Sequence, residues 1–226
     1  MLEVKELSCG YGNDTIVKNV SFSVKDGEIL SITGPNGCGK TTLLRALCGI
    51  IPYKSGSALI GGKEIRSMSR EELSANAALL SQTGAGGEYS DFTVRETVAL
   101  GRYAKSKGFG SDKADEAAAE EYMKKTDTLP IANSIITELS GGQLQRVLLA
   151  RAFAQEPKII FLDEPANHLD LKRQIELIEM LKGWAADGKS VVGVFHDLNL
   201  AAELPDRIMV MNGGRTEILD SAENVC

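Results

Sequence analysis

The sequence has little of several residue types that would commit it to a particular chemistry. Its 226 residues include only two histidines and four cysteines, and no two cysteines have CxxC spacing, so we do not expect a structural zinc site. Four scattered thiols are typical of a reducing compartment. No run approaches 18 apolar residues, and the start lacks a charged segment followed by an apolar core. The sequence therefore predicts neither a membrane span nor a secretory signal.

The charge balance is acidic, and glycine is enriched. Lys and Arg total 25 and Asp and Glu total 31, which gives a net charge of −6. This balance argues against a protein that binds nucleic acid through a broad basic surface, so we expect no nucleic-acid partner. The length corresponds to one large domain or to a domain with a subdomain. The 23 glycines occur in clusters, and there we expect the functional chemistry.

Strand and helix patterns alternate along most of the chain. Residues 19–24, 28–33, 158–162, 191–195 and 207–211 are predicted strands, 57–66 a hairpin, and 144–155 and 171–186 helices. Ser69 with Glu72 and Thr93 with Glu96 have the spacing of a helix-capping box, and a solvated helix is expected from near Ser111. Strands separated by helices predict an α/β fold with a mainly parallel sheet. The helical stretch is expected to be an inserted subdomain at 83–157, between core segments 1–82 and 158–226.

A glycine-rich loop between a predicted strand and a predicted helix has the pattern of a phosphate-binding loop. The segment GPNGCGKT at 34–41 fits G-x-x-x-x-G-K-[ST], in which backbone N–H groups and a helix N-terminus surround an anion. Lys40 can reach the β- and γ-phosphates, and the Thr41 hydroxyl can bind Mg²⁺. The candidate nucleotide ligands in this segment are Gly34, Asn36, Gly37, Cys38, Gly39, Lys40, Thr41 and Thr42.

Two carboxylates follow a predicted buried strand. The run IIFL at 159–162 ends in Asp163 and Glu164, and the carboxyl ends of strands are where open α/β sheets bind ligands. Asp163 is a candidate Mg²⁺ ligand, and Glu164 is the candidate residue that polarises the attacking water. By themselves, two acids after a strand are more often a helix cap than a catalytic pair. Their combination with a phosphate loop favours the catalytic interpretation.

A second glycine cluster precedes another predicted helix. Ser140, Gly141, Gly142 and Gln143 expose backbone N–H groups beside a helix N-terminus, although Ser140 could simply be the N-cap. One chain with one Mg²⁺-nucleotide does not need two anion sites. Two chains in head-to-tail contact do need them, because each LSGGQ would close on the nucleotide of the other chain.

The motifs GPNGCGKTT, LSGGQ, IIFLDEP and His196-Asp197 together resemble the ATP-binding cassette (ABC) family, over essentially the whole chain. The resemblance implies an ATPase that uses ATP and Mg²⁺, with an antiparallel β subdomain and an inserted helical subdomain. It also implies roles for four residues: Tyr11 stacks on adenine, Gln82 contacts Mg²⁺ and the attacking water, Asp170 lies in a loop that crosses the dimer interface, and His196 contacts the γ-phosphate. Tyr11 could instead be a tyrosine at a β-sheet edge, and Asp170 a helix cap.

The segments EPANHLDL, HDLNLAA and YSDFTVRETVALGRY resemble importers of ferric siderophores, haem or cobalamin. This resemblance implies a homodimer formed with ATP, permease partners in the membrane and, through them, a substrate-binding protein. It places the subunit at the cytoplasmic face of the cell membrane. A soluble cassette ATPase, such as an iron–sulfur assembly protein, is the alternative. A dinucleotide-binding enzyme has only Gly84-Ala85-Gly86-Gly87 in its favour.

Overall fold

The computed structural model describes residues 1–81, 91–105, 113–167, 169–195 and 205–225. The strands are β1 (Leu2–Cys9), β2 (Val17–Val24), β3 (Ile29–Thr33), β4 (Tyr53–Ile60), β5 (Lys63–Glu64), β6 (Ala77–Leu80), β7 (Ile159–Asp163), β8 (Ser190–Val194), β9 (Arg207–Asn212) and β10 (Arg215–Ser221). The helices are α1 (Lys40–Leu47), α2 (Arg70–Asn76), α3 (Val94–Ala99), α4 (Lys113–Lys125), α5 (Gly141–Ala154), α6 (Leu171–Ala186) and α7 (Ala222–Val225).

The amino-terminal part of the chain forms an antiparallel sheet with the strand order β2-β1-β4-β5. Along β2 the residues Val20, Phe22 and Val24 are buried and the intervening ones are exposed, as expected for a strand with one face on the core. The predicted hairpin is confirmed, because Gly61 and Gly62 connect β4 to β5. This sheet is the expected antiparallel subdomain.

A second sheet of six strands has the order β10-β9-β3-β8-β7-β6. Five of these strands are parallel, and β10 pairs antiparallel with β9 at one edge. Every residue of β7 and β8 is buried, which agrees with the continuous apolar runs predicted to be covered on both faces. β2 and β3 follow each other in sequence but belong to different sheets, so the turn at Asp26-Gly27 passes the chain from one sheet to the other.

Two apolar clusters cover the two faces of the six-stranded sheet. Phe161 and Val192 pack with α1 and the antiparallel sheet. Ile160 and Val191, their neighbours in sequence, pack with residues of α3 to α6 on the opposite face. This alternation follows from the period of two residues along a strand. Because β3 and β7 both pair parallel with β8, their carboxyl ends lie at the same end of the sheet, on either side of β8.

The helix starts were the best-predicted local features. Thr93 and Ser140 each form the full reciprocal capping box, and Ser69 accepts a hydrogen bond from the Glu72 backbone N–H. α3, α4 and α5 occur between β6 and β7 in the chain, as the predicted ABC ATPase fold requires. The exact subdomain boundaries stay a prediction. Within the described residues, no helix combines the length and hydropathy needed to cross a membrane.

Candidate nucleotide-binding site

The loop between β3 and α1 has a backbone shape that depends on glycine. Gly34, Gly37 and Gly39 have φ angles of 144°, 77° and 106°, all in the region that other residues avoid. A Cβ atom on Gly34 would lie 2.0 Å from the carbonyl oxygen of Met211, whereas one on Gly37 would meet nothing within 4 Å. The loop is therefore packed closely against β9 on one side and open at Gly37, where a bound anion has room.

The Lys40 side chain folds back over this loop. Its Nζ atom donates hydrogen bonds to the carbonyl oxygens of Gly34 at 2.7 Å and Pro35 at 3.0 Å. It also lies 4.0 Å from the Cys38 sulfur, a weak acceptor. Lys40 is only 6% exposed, so its ammonium is held at the loop rather than in solvent. A buried positive charge in a loop with open space at Gly37 suits a polyphosphate.

Thr41 and Asp163, two of the three predicted Mg²⁺ ligands, are in direct contact. The Thr41 hydroxyl donates a hydrogen bond to Asp163 Oδ1 at 3.1 Å, although 122 residues separate them in sequence. Asp163 is 6% exposed. Burial raises the pKa of this carboxyl above its ordinary value, and the hydrogen bond from Thr41 acts in the opposite direction.

Glu164 occupies an unusual backbone conformation. Its φ angle is 55°, which is sterically costly for a residue with a Cβ atom, and its N–H donates to the carbonyl oxygen of Val194 at 3.1 Å. The side-chain amide of Asn167 donates to Glu164 Oε2 at 2.5 Å. Strained backbone of this kind persists where surrounding contacts hold it, and it is common at active sites. The carboxylate therefore lies beside Asp163 in a turn fixed by several hydrogen bonds.

The LSGGQ segment forms the start of α5. The Ser140 hydroxyl accepts a hydrogen bond from the Gln143 N–H at 3.4 Å and donates to Gln143 Oε1 at 2.9 Å. Ser140 is thus an N-cap, the alternative that the sequence left open. Both Ser140 and Gly141 are exposed, and Gly142 follows them in the first turn. The capping geometry leaves this helix end accessible to a second molecule.

Asp170 and Tyr11 lie at the surface. Asp170 is exposed and caps α6, because its carboxylate accepts the N–H of Arg173 at 2.9 Å. Tyr11 lies in the turn after β1 rather than on a strand, so it is not a tyrosine at a β-sheet edge. Tyr11 is 43% exposed, and its hydroxyl accepts a hydrogen bond from Arg45 at 3.0 Å. An exposed aromatic ring is available for stacking on a base.

Several predicted residues lie outside the described part of the chain. These are Gln82, His196 and the segment Gly84–Gly87. Two contacts in the site had not been predicted, namely those of Asn167 with Glu164 and of Gln145 with Pro165. The first joins residues three apart in a turn, which the Asn side chain could have indicated. The second joins residues twenty apart and has no signal in the sequence.

The donor set at Thr41 and Asp163 fits Mg²⁺. The hydroxyl and carboxylate oxygens are hard ligands, and Mg²⁺ is commonly held by one or two such protein groups together with water and phosphate oxygens. Burial of the Asp163 carboxylate makes a nearby cation favourable, because the cation would offset the cost of desolvating the negative charge.

Curated relatives match nearly the whole chain. An uncharacterized ABC transporter ATP-binding protein, YvrA of Bacillus subtilis, is 43% identical over 94% of this chain and 48% of its own length. The cobalamin import ATP-binding protein BtuD of Halobacterium salinarum is 37% identical over 95% of this chain and 53% of its own length. The iron(3+)-hydroxamate import ATP-binding protein FhuC of Bacillus subtilis is 35% identical, over 94% and 79%. The chain thus spans about half the length of the first two.

A solved structure and a family model agree with these relatives. The dimeric structure of MJ0796, a bacterial ABC transporter cassette, has a TM-score of 0.88 and 31% identity, and the match covers 98% of this chain and 99% of that one. The family model described as ABC transporter matches residues 17–167, more than half of the chain. With the phosphate loop, Asp163 and the exposed LSGGQ helix end in this fold, the chain belongs to the ABC transporter family and carries its ATP-binding cassette.

Proposed function

We propose that this protein is the ATP-hydrolysing subunit of an ABC transporter. The observation that carries the proposal is the contact between Thr41, on the phosphate loop, and Asp163, with Glu164 as the next residue. It joins the element suited to bind a triphosphate to the element suited to activate water. The relatives named for import and the cassette fold support the same assignment.

The chemistry follows from the groups at this edge of the sheet. The N–H groups of the loop and the Lys40 ammonium bind the phosphates and stabilise the charge that develops during transfer. Glu164 orients the attacking water and accepts its proton as the bond to the γ-phosphorus forms and the bond to the leaving oxygen breaks. Thr41 and Asp163 would hold Mg²⁺, which supplies neutralisation of phosphate charge. Gln82 and His196 remain proposed contributors to water and γ-phosphate contacts.

The exposed LSGGQ end of α5 is the proposed second half of each nucleotide site. Two chains in head-to-tail contact would place Ser140, Gly141 and Gly142 of one chain on the nucleotide bound by the other. Tyr11 would stack on adenine, and Asp170 would lie at the interface. ATP then closes the dimer, and hydrolysis opens it again.

The proposed cargo is an iron chelate, haem or cobalamin. This assignment is supported by the similarity to BtuD and FhuC and by a relative named as a hemin import ATP-binding protein, HmuV of Rhizobium etli. The helical subdomain, proposed as 83–157, would contact a permease, so that closure of the dimer moves a membrane protein. The subunit would be held at the cytoplasmic face of the membrane by that permease, which receives cargo from a substrate-binding protein.

The Glu164→Gln variant tests the enzymatic assignment. Phosphate release with ATP and Mg²⁺ should fall by at least about 100-fold, because the amide cannot accept the proton from water. ATP binding should be retained. Glu179→Gln, which changes an exposed carboxylate on α6, is the matched control and should keep full activity. Normal hydrolysis by Glu164→Gln would refute the role given to this residue.

Purification from membranes tests coupling to transport. A tagged chain expressed in its natural host should bring down an integral-membrane permease. Recovery of the active ATPase only in the soluble fraction, without such a partner, would favour the soluble cassette alternative.

A further inference from the structure

α5 makes a direct hydrogen bond to the turn that carries Glu164. The Gln145 side chain, half-buried on the second turn of α5, donates from Nε2 to the carbonyl oxygen of Pro165 at 2.9 Å. Pro165 is buried and immediately follows Glu164. Because proline has no N–H, its carbonyl is its only backbone hydrogen-bonding group. A buried carbonyl that loses its donor costs free energy, so this contact fixes Pro165 relative to α5.

Further hydrogen bonds of this turn converge on Glu164. We call residues 164–167 the Glu164 turn. The Asn167 N–H donates to the Glu164 carbonyl oxygen at 3.3 Å, and the Asn167 side chain donates to Glu164 Oε2 at 2.5 Å. The Glu164 N–H is bound to Val194 of β8, and its φ angle of 55° is outside the favoured regions. A backbone in that conformation needs several contacts to hold it. The contact from Gln145 is supplied by α5, an element outside the turn.

We propose that Gln145 is a positioning residue for Glu164. The proposal rests on the proposed function, in which Glu164 activates water. Gln145 lies five residues beyond Ser140, the N-cap of α5, and one continuous helix joins the two positions. One end of α5 is proposed to contact the nucleotide of a second chain. Gln145 and Pro165 connect this helix to Glu164, whose carboxylate acts on this chain's own nucleotide. A shift of α5 changes the orientation of Glu164 without any change at the phosphate loop.

The test compares Gln145 with a second glutamine of the α5 region. Gln155, which follows the last residue of α5, also donates from Nε2 to backbone carbonyls, those of Ser74 and Ala77, the latter at 2.8 Å. Gln155→Leu removes the same kind of bond from the opposite end of the helix. Gln145→Leu removes the donor at the Glu164 turn, and Gln145→Glu does so with the side-chain shape retained.

We expect both Gln145 variants to lower kcat about three- to tenfold, which corresponds to about 0.6–1.4 kcal/mol and matches the loss of one hydrogen bond. The KM for ATP should stay within about twofold, because the phosphate loop is untouched. Gln155→Leu should change kcat by less than about twofold. Fluorescence of the single tryptophan, Trp184, which is buried against Phe153 of α5, verifies that each variant is folded.

Three results would overturn the proposal. The first is an unchanged kcat in both Gln145 variants. The second is a KM for ATP that rises by more than about twofold in these variants, and the third is an equal loss of kcat in Gln155→Leu. Glu164→Gln in the same assay separates this proposal from the proposed function. If Glu164→Gln hydrolyses ATP normally, the proposed function fails; if it is inactive and the Gln145 variants are normal, only the positioning role fails.

Discussion

Replacement of Thr41 by valine would test the bond between the phosphate loop and β7. Valine has nearly the shape of threonine but no hydroxyl, so Thr41→Val removes the donor that lies 3.1 Å from Asp163 Oδ1. A hydrogen bond to a charged group contributes about 1.5–3 kcal/mol to the free energy of unfolding. The methyl group that replaces the hydroxyl offsets up to about 0.8 kcal/mol of this loss through burial of apolar surface. We therefore expect a net loss of about 1–2 kcal/mol in the free energy of unfolding. For a chain of this size the midpoint temperature should fall by about 2–8 °C.

The penalty should also depend on pH in a defined direction. Burial holds the pKa of Asp163 above its ordinary value of 3.8. Folding therefore takes up a proton in the pH window between that value and the raised pKa of the folded state. Stability accordingly falls as pH rises through this window. Without the Thr41 hydroxyl the pKa rises further, which widens the window. The difference between wild type and Thr41→Val should be largest near neutral pH. It should shrink as pH falls below the ordinary carboxyl value, where Asp163 is protonated in both the folded and the unfolded state.

Urea unfolding followed by Trp184 fluorescence gives the required measurement. The Asp163→Asn variant provides the matched background, because Thr41→Val should cost much less once the charge is absent. Equal penalties in the two backgrounds, or a penalty that does not change with pH, would show that the Thr41 hydroxyl does not act on the Asp163 carboxylate. The reasoning on the metal ligands would then be wrong.

Two further predictions concern the loop and the helical part of the chain. Gly34→Ala should unfold the loop region or abolish ATP binding, because its Cβ would lie 2.0 Å from a carbonyl oxygen. Gly37→Ala should cost only about 1 kcal/mol of backbone strain. Calorimetry measures the stability of each variant, and titration with ATP measures its binding. For Glu156, burial would raise the pKa, but hydrogen bonds and charges from Lys105 and Arg102 outweigh burial and hold it at about 2. The stabilisation is therefore present above the ordinary carboxyl pKa of 4.5 and is lost as pH falls towards 2. In urea unfolding, Glu156→Gln should be less stable than wild type near neutral pH and equal to it near pH 2. A difference in the free energy of unfolding that persists at acidic pH would contradict this.

Local sequence features predicted the elements that depend on local chemistry. The helix caps at Thr93 and Ser140 follow from side chains that bond within one turn, and the buried strands β7 and β8 from uninterrupted apolar runs. β6 was not predicted as a strand, because Ala77–Leu80 is short and has no β-branched residue; its pairing with β7 decides its conformation.

The candidate site was predicted where a motif spans it and missed where the contact is tertiary. The phosphate loop, Asp163 and Glu164 are contiguous patterns with known chemistry. The bond between Gln145 and Pro165 joins a helix to a turn, and nothing in either local sequence indicates it. The same holds for Tyr11 and Arg45, whose contact depends on how the antiparallel sheet packs on α1.

Sedimentation of the Glu164→Gln variant with ATP tests the central claim most directly, because hydrolysis is blocked and both proposed halves of each nucleotide site are present. The account predicts a monomer without nucleotide and a dimer with ATP, and it predicts that Lys40→Ala or Ser140→Arg, added separately, each prevents the dimer. A chain that stays monomeric with ATP, or a dimer indifferent to Ser140→Arg, would contradict it.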